Sequence, residues 1–134
     1  MKSNCKIALV LLAGVALGGL AIEGLHAQAK APVYFVAEID VTNPDAYAKE
    51  YAPKAQALMK GAGGRFLAVG GAAATSGGKV TAFDGDPPKR VVVQVWDSMD
   101  KIEAWRANPE YVELRKVGEK YAKFRSFAVY GVPQ

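Results

Sequence analysis

Apolar and polar residues follow one another along the chain in a pattern that predicts four strands and three helices after residue 30. The strands are predicted at residues 33–41, 65–69, 90–96 and 123–131, where valine, isoleucine and aromatic residues alternate with polar ones or form continuous runs. Helical spacing of apolar residues predicts helices at residues 44–60, after Ser98 and after Asn108. After the second strand, Gly70–Gly78 forms a loop of small residues, to which the sequence assigns no role.

Two of the helices begin with the same local pattern. Asn43-Pro44-Asp45 and Asn108-Pro109-Glu110 each place an asparagine cap before a proline in the first turn. Pro53 interrupts the first helix. Because proline lacks a backbone N–H donor, we expect a kink there unless the backbone is relieved locally.

The order of elements, β-α-β followed by β-α-α-β, consists of two halves of similar build. This duplication is typical of the split βαβ, or ferredoxin-like, arrangement. We therefore predict an α+β fold in which a four-stranded antiparallel sheet carries helices on one face. The first and third main strands are expected to be central and parallel to each other, and residues 30–134 to form a single domain.

Only one face of such a sheet is covered by helices, and the alternation of side chains assigns residues to the two faces. Under the helices we expect Phe35, Ala37, Ile39, Val91, Val93 and Val95. On the open face we expect Tyr34, Val36, Glu38, Val92, Gln94 and Trp96, joined by Ser126, Ala128 and Tyr130. So much apolar surface favours a homodimer packed sheet against sheet. The chamber between the sheets would be either a small-molecule site or a packed dimer core.

The first 29 residues have the pattern of a secretory signal peptide. Lys2 and Lys6 precede an uncharged apolar run from Ile7 to Ile22, which is shorter than the ~20 residues that a spanning helix needs. Ala27-Gln28-Ala29 supplies the small residues of a cleavage site. We expect residues 1–29 to be removed and the mature protein to be periplasmic or secreted, without membrane attachment. The alternative is an N-terminal membrane anchor that is retained.

Cleavage would restrict the chemistry, because it removes the only cysteine, Cys5, and the only histidine, His26. That loss excludes histidine- and cysteine-based catalysis and histidine-ligated metals. The glycine-rich segments lack the spacing of phosphate or dinucleotide loops, so no cofactor is predicted. A basic stretch at residues 115–125 is interrupted by glutamates, which together with export argues against nucleic acid as a partner. An interaction protein that uses this basic helix is a further alternative.

Several segments form a combined pattern: VYFVAEIDVTNPDAY at residues 33–47, GGRFL at 63–67, RVVV at 90–93, AW at 104–105 and NPEY at 108–111. Together they resemble the family called domain of unknown function 1330. The resemblance implies the dimeric α/β-barrel version of the ferredoxin-like fold and no established activity. It also implies that, on the second strand, Arg65, Leu67 and Val69 line the chamber, whereas Phe66 and Ala68 point into the core. Family members usually carry an arginine where this chain has Val69, and their hairpin lacks residues 72–76.

Glu38 and Arg65 are the candidates for a catalytic pair. A buried carboxylate needs a counter-ion or a proton. Glu38 would therefore form a structural ion pair with Arg65, or serve as a general acid or base while Arg65 holds a substrate anion. The candidates for ligand binding are Tyr34, Gln94, Trp96 and Tyr130. Besides the interaction protein, two functions stay open: binding of a small aromatic or carboxylic molecule, and catalysis by a cofactor-independent enzyme of the oxygenase or isomerase type.

Overall fold

The computed structural model describes residues 30–74 and 76–134. The predicted export segment, residues 1–29, lies outside the described residues. Residues 31–134 form one compact unit. In the described part of the chain, every helix is too short or too polar to cross a membrane.

The secondary structure follows the predicted order. The strands are β1 (Val33–Val41), β2 (Arg65–Gly70), β3 (Arg90–Trp96) and β4 (Ala122–Tyr130). The first helix has three parts: a short α-helix α1 (Pro44–Ala46), a π-helical turn (Tyr47–Tyr51) and the α-helix α2 (Ala52–Gly61). Two further helices are α3 (Met99–Ala107) and α4 (Pro109–Glu119).

The four strands form one sheet in the order β2-β3-β1-β4. All three neighbouring pairs are antiparallel, so the ferredoxin-like α+β fold is confirmed. The central position of β1 and β3 is also confirmed, but their predicted parallel direction is wrong. The first helix returns the chain so that β2 runs parallel to β1, and the loop after β2 reverses it. The chain therefore enters β3 in the opposite direction and fills the space between them.

The helix starts are capped as the sequence predicts. The Ala46 backbone N–H donates to Asn43 Oδ1 at 3.2 Å, and the Glu110 N–H donates to Asn108 Oδ1 at 2.9 Å. The Lys101 N–H donates to Ser98 Oγ at 3.3 Å, which caps α3 in the same way. These side chains satisfy backbone donors that have no partner within the first helical turn.

The backbone around Pro53 is relieved by the π-helical turn rather than by a simple kink. The Ala52 N–H donates to the Tyr47 carbonyl, one residue further back than in an α-helix. The wider turn ends directly before the proline, which then occupies the first turn of α2, where an N–H is not required. Tyr47 and Tyr51 of this turn are both buried.

Cross-strand pairs assign each strand to the two faces, because directly opposed residues point to the same side of a sheet. On β1 the prediction is confirmed: the buried residues beneath the helices are Val33, Phe35, Ala37, Ile39 and Val41. On β3 the prediction is wrong, since Gln94 lies opposite Phe35 and Val92 opposite Ala37. The strand tolerates a polar residue there because Gln94 Oε1 accepts a hydrogen bond from Trp96 Nε1 at 3.0 Å. The valines on the open face are Val91, Val93 and Val95.

The last strand is also turned over relative to the prediction. Ser126 lies opposite Ala37, Ala128 opposite Phe35, and Tyr130 opposite Val33, so all three share the helix-covered side. Small side chains at 126 and 128 fit beneath the helices, which the sequence pattern of this strand does not indicate. The open face of β4 carries Arg125, Phe127 and Val129 instead.

An irregularity in β2 inverts the second half of that strand. The pairing with β3 shifts between Phe66 and Ala68, which leaves Leu67 without a partner. Arg65 and Phe66 lie on their predicted faces. Beyond the bulge Val69 turns under the helices and Ala68 to the open face, the reverse of the prediction, because one extra residue exchanges the two sides of a strand.

Candidate functional site

A cavity of about 190 Å³ lies between the sheet and the helices. Its floor is the covered side of the sheet, including Phe35, Ala37, Val92 and Gln94. Its roof comes from the helices and includes Tyr47, Tyr51, Ala55, Met59, Trp105 and Tyr111. The walls are thus mostly aromatic and apolar with a few polar groups, the usual composition of a small-molecule site.

Arg90 reaches this cavity from the first position of β3. It lies opposite Ile39, which places its side chain under the helices. The guanidinium carbon is 5.8 Å from the centroid of the Tyr47 ring. Its Nε–H is buried and has no acceptor among the described residues.

Arg115 reaches the same cavity from α4, but its guanidinium is held by several groups. It lies 3.6 Å from the centroid of the Phe124 ring. Its Nε donates to Glu119 Oε1 at 3.1 Å, and its Nη1 donates to Tyr111 Oη at 3.5 Å. Burial by itself lowers the pKa of Arg115, but Tyr111, Tyr51 and Glu119 together raise it above its usual value. The side chain is therefore a fixed positive charge.

Two tyrosines of the π-helical turn supply hydroxyl groups to the roof. Burial raises the pKa of Tyr47, although the charges of Arg90 and Arg115 partly oppose the shift. Burial, and then the neighbouring Tyr111, raises the pKa of Tyr51 further. Both hydroxyls are consequently neutral at physiological pH and available as hydrogen-bond donors.

Trp105 provides a second buried donor without an acceptor. Its Nε1–H has no partner among the described residues, although the side chain is only 5% exposed. Leaving a buried donor unpaired costs about 1–3 kcal/mol, and such groups are uncommon in native proteins. The unpaired N–H groups of Arg90 and Trp105 both belong to side chains that line the cavity. Because both nitrogen atoms are shielded from solvent, a bound molecule with acceptor atoms would partner them after a small shift of the side chains.

The charge of the cavity is positive. Arg90 and Arg115 line it, and no aspartate or glutamate among the described residues does so. No cluster of potential metal ligands is found in the described part of the chain. The arrangement therefore suits an apolar molecule that carries a negative group.

A second, larger depression of about 560 Å³ lies between α2 and α4 on the outer side of the helices. It is lined by Leu58, Leu114 and Val117 together with the charged residues Lys54, Glu110 and Glu113. None of the unpaired buried donors described above borders it. The cavity beneath the helices is therefore the better candidate.

The structure does not bring Glu38 and Arg65 together within one protomer. Glu38 lies opposite Val91 and Arg65 opposite Val95, four residues apart along β3, or about 13 Å at strand spacing. Glu38 Oε2 instead accepts a hydrogen bond from Arg125 Nη1 at 3.0 Å. Both side chains of this pair are substantially exposed in the protomer, at 42% and 70%. Glu38 lies on the open face as predicted, and its burial against a second sheet stays a prediction.

The four predicted ligand residues are also separated. Gln94 lines the cavity, although from the helix-covered face rather than the open one. Trp96 is 1% exposed and packs at 5.2 Å against Trp105, outside the cavity lining. Tyr34 lies on the open face, and Tyr130 is 65% exposed at the end of β4.

The residues that surround the cavity were missed because they come from separate elements. Tyr47 and Tyr51 on the first helix and Tyr111 on α4 lie at the spacing of core residues, and all three are buried. Their hydroxyl groups were the indication that the core contains polar groups. Arg115 read as part of a solvated basic helix face. Arg90 stands immediately before a run of valines, and a charge at the start of a buried strand was the available indication.

The open face of the sheet is largely apolar in the protomer. Its central rows contain Tyr34, Val36, Val93, Val95, Phe127 and Val129. Phe127 and Val129 are 43% and 52% exposed. One end of this surface is charged, with the Glu38–Arg125 pair and a 2.7 Å contact between Lys89 Nζ and Asp40 Oδ1.

A four-stranded antiparallel sheet with helices on one face defines the ferredoxin-like fold, and solved structures share it. SnoaB, a cofactor-independent oxygenase from Streptomyces nogalater, is 15% identical with a TM-score of 0.54, over 78% of this chain and 96% of SnoaB. RPA0582, a protein of unknown function from Rhodopseudomonas palustris, is 14% identical with a TM-score of 0.57, over 85% of this chain and 93% of RPA0582. At such identities the likeness concerns the fold.

The sequence identifies the family more closely. Residues 32–132 match the family described as "Domain of unknown function (DUF1330)", and the chain belongs to that family. A search of curated proteins gave no match.

Proposed function

We propose that the protein binds a small molecule in the cavity between its sheet and its helices. The observation that carries this proposal is the pair of buried, unpaired N–H donors, Arg90 Nε and Trp105 Nε1, on side chains that line a mostly apolar cavity. A packed core would leave no such space, and its buried donors would have hydrogen-bond partners. The site proposed here replaces the chamber between two sheets that the sequence suggested.

The cavity size limits the ligand to a small one. Its volume of about 190 Å³ is below the ~300 Å³ at which pockets for drug-sized ligands begin. It is slightly larger than a cavity of about 150 Å³ that accommodates benzene. A single ring with one or two substituents therefore fits.

The test uses two alanine-to-leucine variants of α2. Ala55 lines the cavity, whereas Ala57 is exposed on the same helix and borders the second depression instead. Thermal shift and calorimetric titration with single-ring aromatic compounds should show binding to the wild-type protein and to Ala57→Leu, and none to Ala55→Leu. Mass spectrometry of molecules that copurify with the protein gives an independent identification. Unchanged binding in Ala55→Leu would place the ligand elsewhere, and the absence of any binding compound would refute the proposal.

An alternative is that the same cavity hosts a cofactor-independent reaction. The fold likeness to SnoaB favours this candidate. Glu38 and Arg65 lie outside the cavity, so Tyr47 is the better candidate for a group that exchanges a proton with a substrate. Tyr47→Phe should then abolish turnover of a bound compound, which is measured by oxygen consumption and by the mass of the product. The affinity of the protein for that compound should stay within a few-fold of the wild-type value. Binding without turnover in the wild-type protein would leave the binding function alone.

A second copy of the chain is the proposed partner for the open face of the sheet. An exposed patch that contains Val36, Phe127 and Val129 is unusual for a monomer, and two such faces would cover each other. Val129→Asp should produce a monomer in size-exclusion chromatography with light scattering. Val112→Asp on α4, at a similarly exposed position (42%), should remain dimeric. A dimeric Val129→Asp variant would contradict this interface.

A further inference from the structure

The two arginines of the cavity differ in how their charges are compensated. Arg115 contacts the carboxylate of Glu119, the hydroxyl of Tyr111 and the ring of Phe124. Arg90 forms no ion pair with any carboxylate among residues 30–74 and 76–134. Its Nε is buried and unpaired, and its guanidinium lies over the Tyr47 ring. Arg90 is therefore the positive group of the cavity that lacks a counter-ion.

A partly buried cation without a counter-ion is unfavourable, and the cost falls when an anion binds beside it. The guanidinium is planar and offers parallel N–H donors, which matches the two oxygens of a carboxylate. Acidic residues on the neighbouring elements are already engaged: Glu119 holds Arg115, and Asp40 pairs with Lys89 on the surface. The missing anion would then come from the ligand.

The remaining walls favour an aromatic ring over an aliphatic one. Phe35 and Trp105 meet edge to face, with centroids 5.4 Å apart and planes at 85°. Trp105 also packs on Tyr111 at 4.5 Å. The rings of Tyr47, Phe66 and Phe124 complete the lining. A further ring placed among them would gain edge-to-face contacts in addition to apolar burial.

We propose that the cavity selects a single-ring aromatic carboxylate and that Arg90 binds its carboxylate group. The inference rests on the proposed function and narrows it to one ligand class. A compact anion such as phosphate would satisfy Arg90 but leave the aromatic walls without contacts. A neutral aromatic would fill the cavity but leave Arg90 uncompensated.

The first experiment compares four probes on the wild-type protein: benzoate, benzamide, cyclohexanecarboxylate and inorganic phosphate. Intrinsic fluorescence reports on the site, because both tryptophans of the sequence are involved: Trp105 lines the cavity and Trp96 packs against it at 5.2 Å. Benzoate should bind about tenfold or more tightly than benzamide, since hydrogen bonds to charged groups are the stronger ones. It should bind a few-fold more tightly than cyclohexanecarboxylate, and phosphate should not bind measurably.

The second experiment removes the charge of Arg90 and of its neighbour. Arg90→Gln should lose about 10- to 100-fold in affinity for benzoate and stay within about threefold for benzamide. Lys89→Gln, which removes an equal charge from an exposed ion pair one residue away, should bind both probes like the wild-type protein. Retained benzamide binding shows that the Arg90→Gln cavity is intact, so a folding defect is not mistaken for lost recognition.

The results separate this inference from the proposed function. Equal affinities for benzoate and benzamide, or an equal loss in Arg90→Gln and Lys89→Gln, would overturn the role of Arg90 while the cavity still binds small molecules. Tighter binding of phosphate than of benzoate would overturn the ligand class. If neither benzoate nor benzamide binds, the inference is overturned. Titration of the two leucine variants of α2 with the compound that copurifies would then show whether the cavity binds any molecule.

Discussion

Gly118 lies in α4 directly against the ring of Tyr51, one of the tyrosines over the cavity. A Cβ atom placed on Gly118 would lie 2.7 Å from both Cδ2 and Cε2 of Tyr51 and 3.0 Å from its Cγ. Real Cβ contacts are essentially never that short. The helix approaches the ring this closely only because position 118 has no side chain.

The effect of Gly118→Ala follows from two opposing contributions. Alanine is favoured over glycine in a helix by about 1 kcal/mol. The new methyl group must displace Tyr51, which is 4% exposed and packed against Phe124 at 5.5 Å, and overpacking of this kind costs about 1–3 kcal/mol. We expect a net loss of about 0–2 kcal/mol in the free energy of unfolding. The matched variant Gly61→Ala adds a methyl group with nothing within 4 Å, so it should gain up to about 1 kcal/mol.

The difference between the two variants, about 1–3 kcal/mol, isolates the contact with Tyr51. Urea unfolding followed by circular dichroism measures it, and the melting temperatures should separate by about 4–8 °C for each 1 kcal/mol. Combining Gly118→Ala with Tyr51→Leu should reduce the penalty, because the ring that clashes is absent. If Gly118→Ala stabilises the protein as much as Gly61→Ala does, the close approach of α4 to Tyr51 is wrong.

Three further outcomes are expected. Because burial raises the pKa of Tyr47 and Tyr51 above the ordinary 10.0, the unfolded chain releases protons first, and stability should fall as the pH rises above about 10. Equal melting temperatures at about pH 8 and about pH 11 would contradict this. Tyr51→Phe should weaken the dependence of stability on pH. Glu38→Gln should lower stability by less than about 1 kcal/mol in urea unfolding, since its pair with Arg125 is exposed; a loss of several kcal/mol would show that the carboxylate is buried in the assembly. N-terminal sequencing of the protein from an envelope fraction should begin at Lys30, and a chain that begins at Met1 would favour the retained anchor.

The sequence was sufficient for the order of elements, the helix caps and the covered side of β1. Each rests on local chemistry: asparagine caps at positions 43 and 108, and a strand in which only one face is wholly apolar. The response to Pro53 was partly foreseen, because a proline in a helix must either bend it or change its hydrogen bonding. The form that this change takes, a π-helical turn, is not specified by the proline alone.

The faces of β3 could not be read from the sequence because valines occupy both sides. Gln94 was the only polar residue in the run after Arg90 and suggested an exposed face, whereas its side chain is satisfied internally by Trp96. In β2 the alternation predicts the faces of Arg65 and Phe66 correctly, but the unpaired Leu67 reverses the faces of the residues after it. The candidate site moved with these assignments, since a face exchanged on β3 transfers Gln94 from one side of the sheet to the other.

The central strands serve two different surfaces with alternate residues. On β1, Phe35 and Ala37 border the cavity while Tyr34 and Val36 form the open face, and β3 is divided in the same way. A substitution at one position can therefore alter the proposed ligand site without touching the proposed dimer interface, or the reverse. An insertion or deletion of one residue cannot, because it would exchange the two sets along the rest of the strand. We expect these strands to vary by substitution and to keep their length, so that the two properties can evolve independently on a shared backbone.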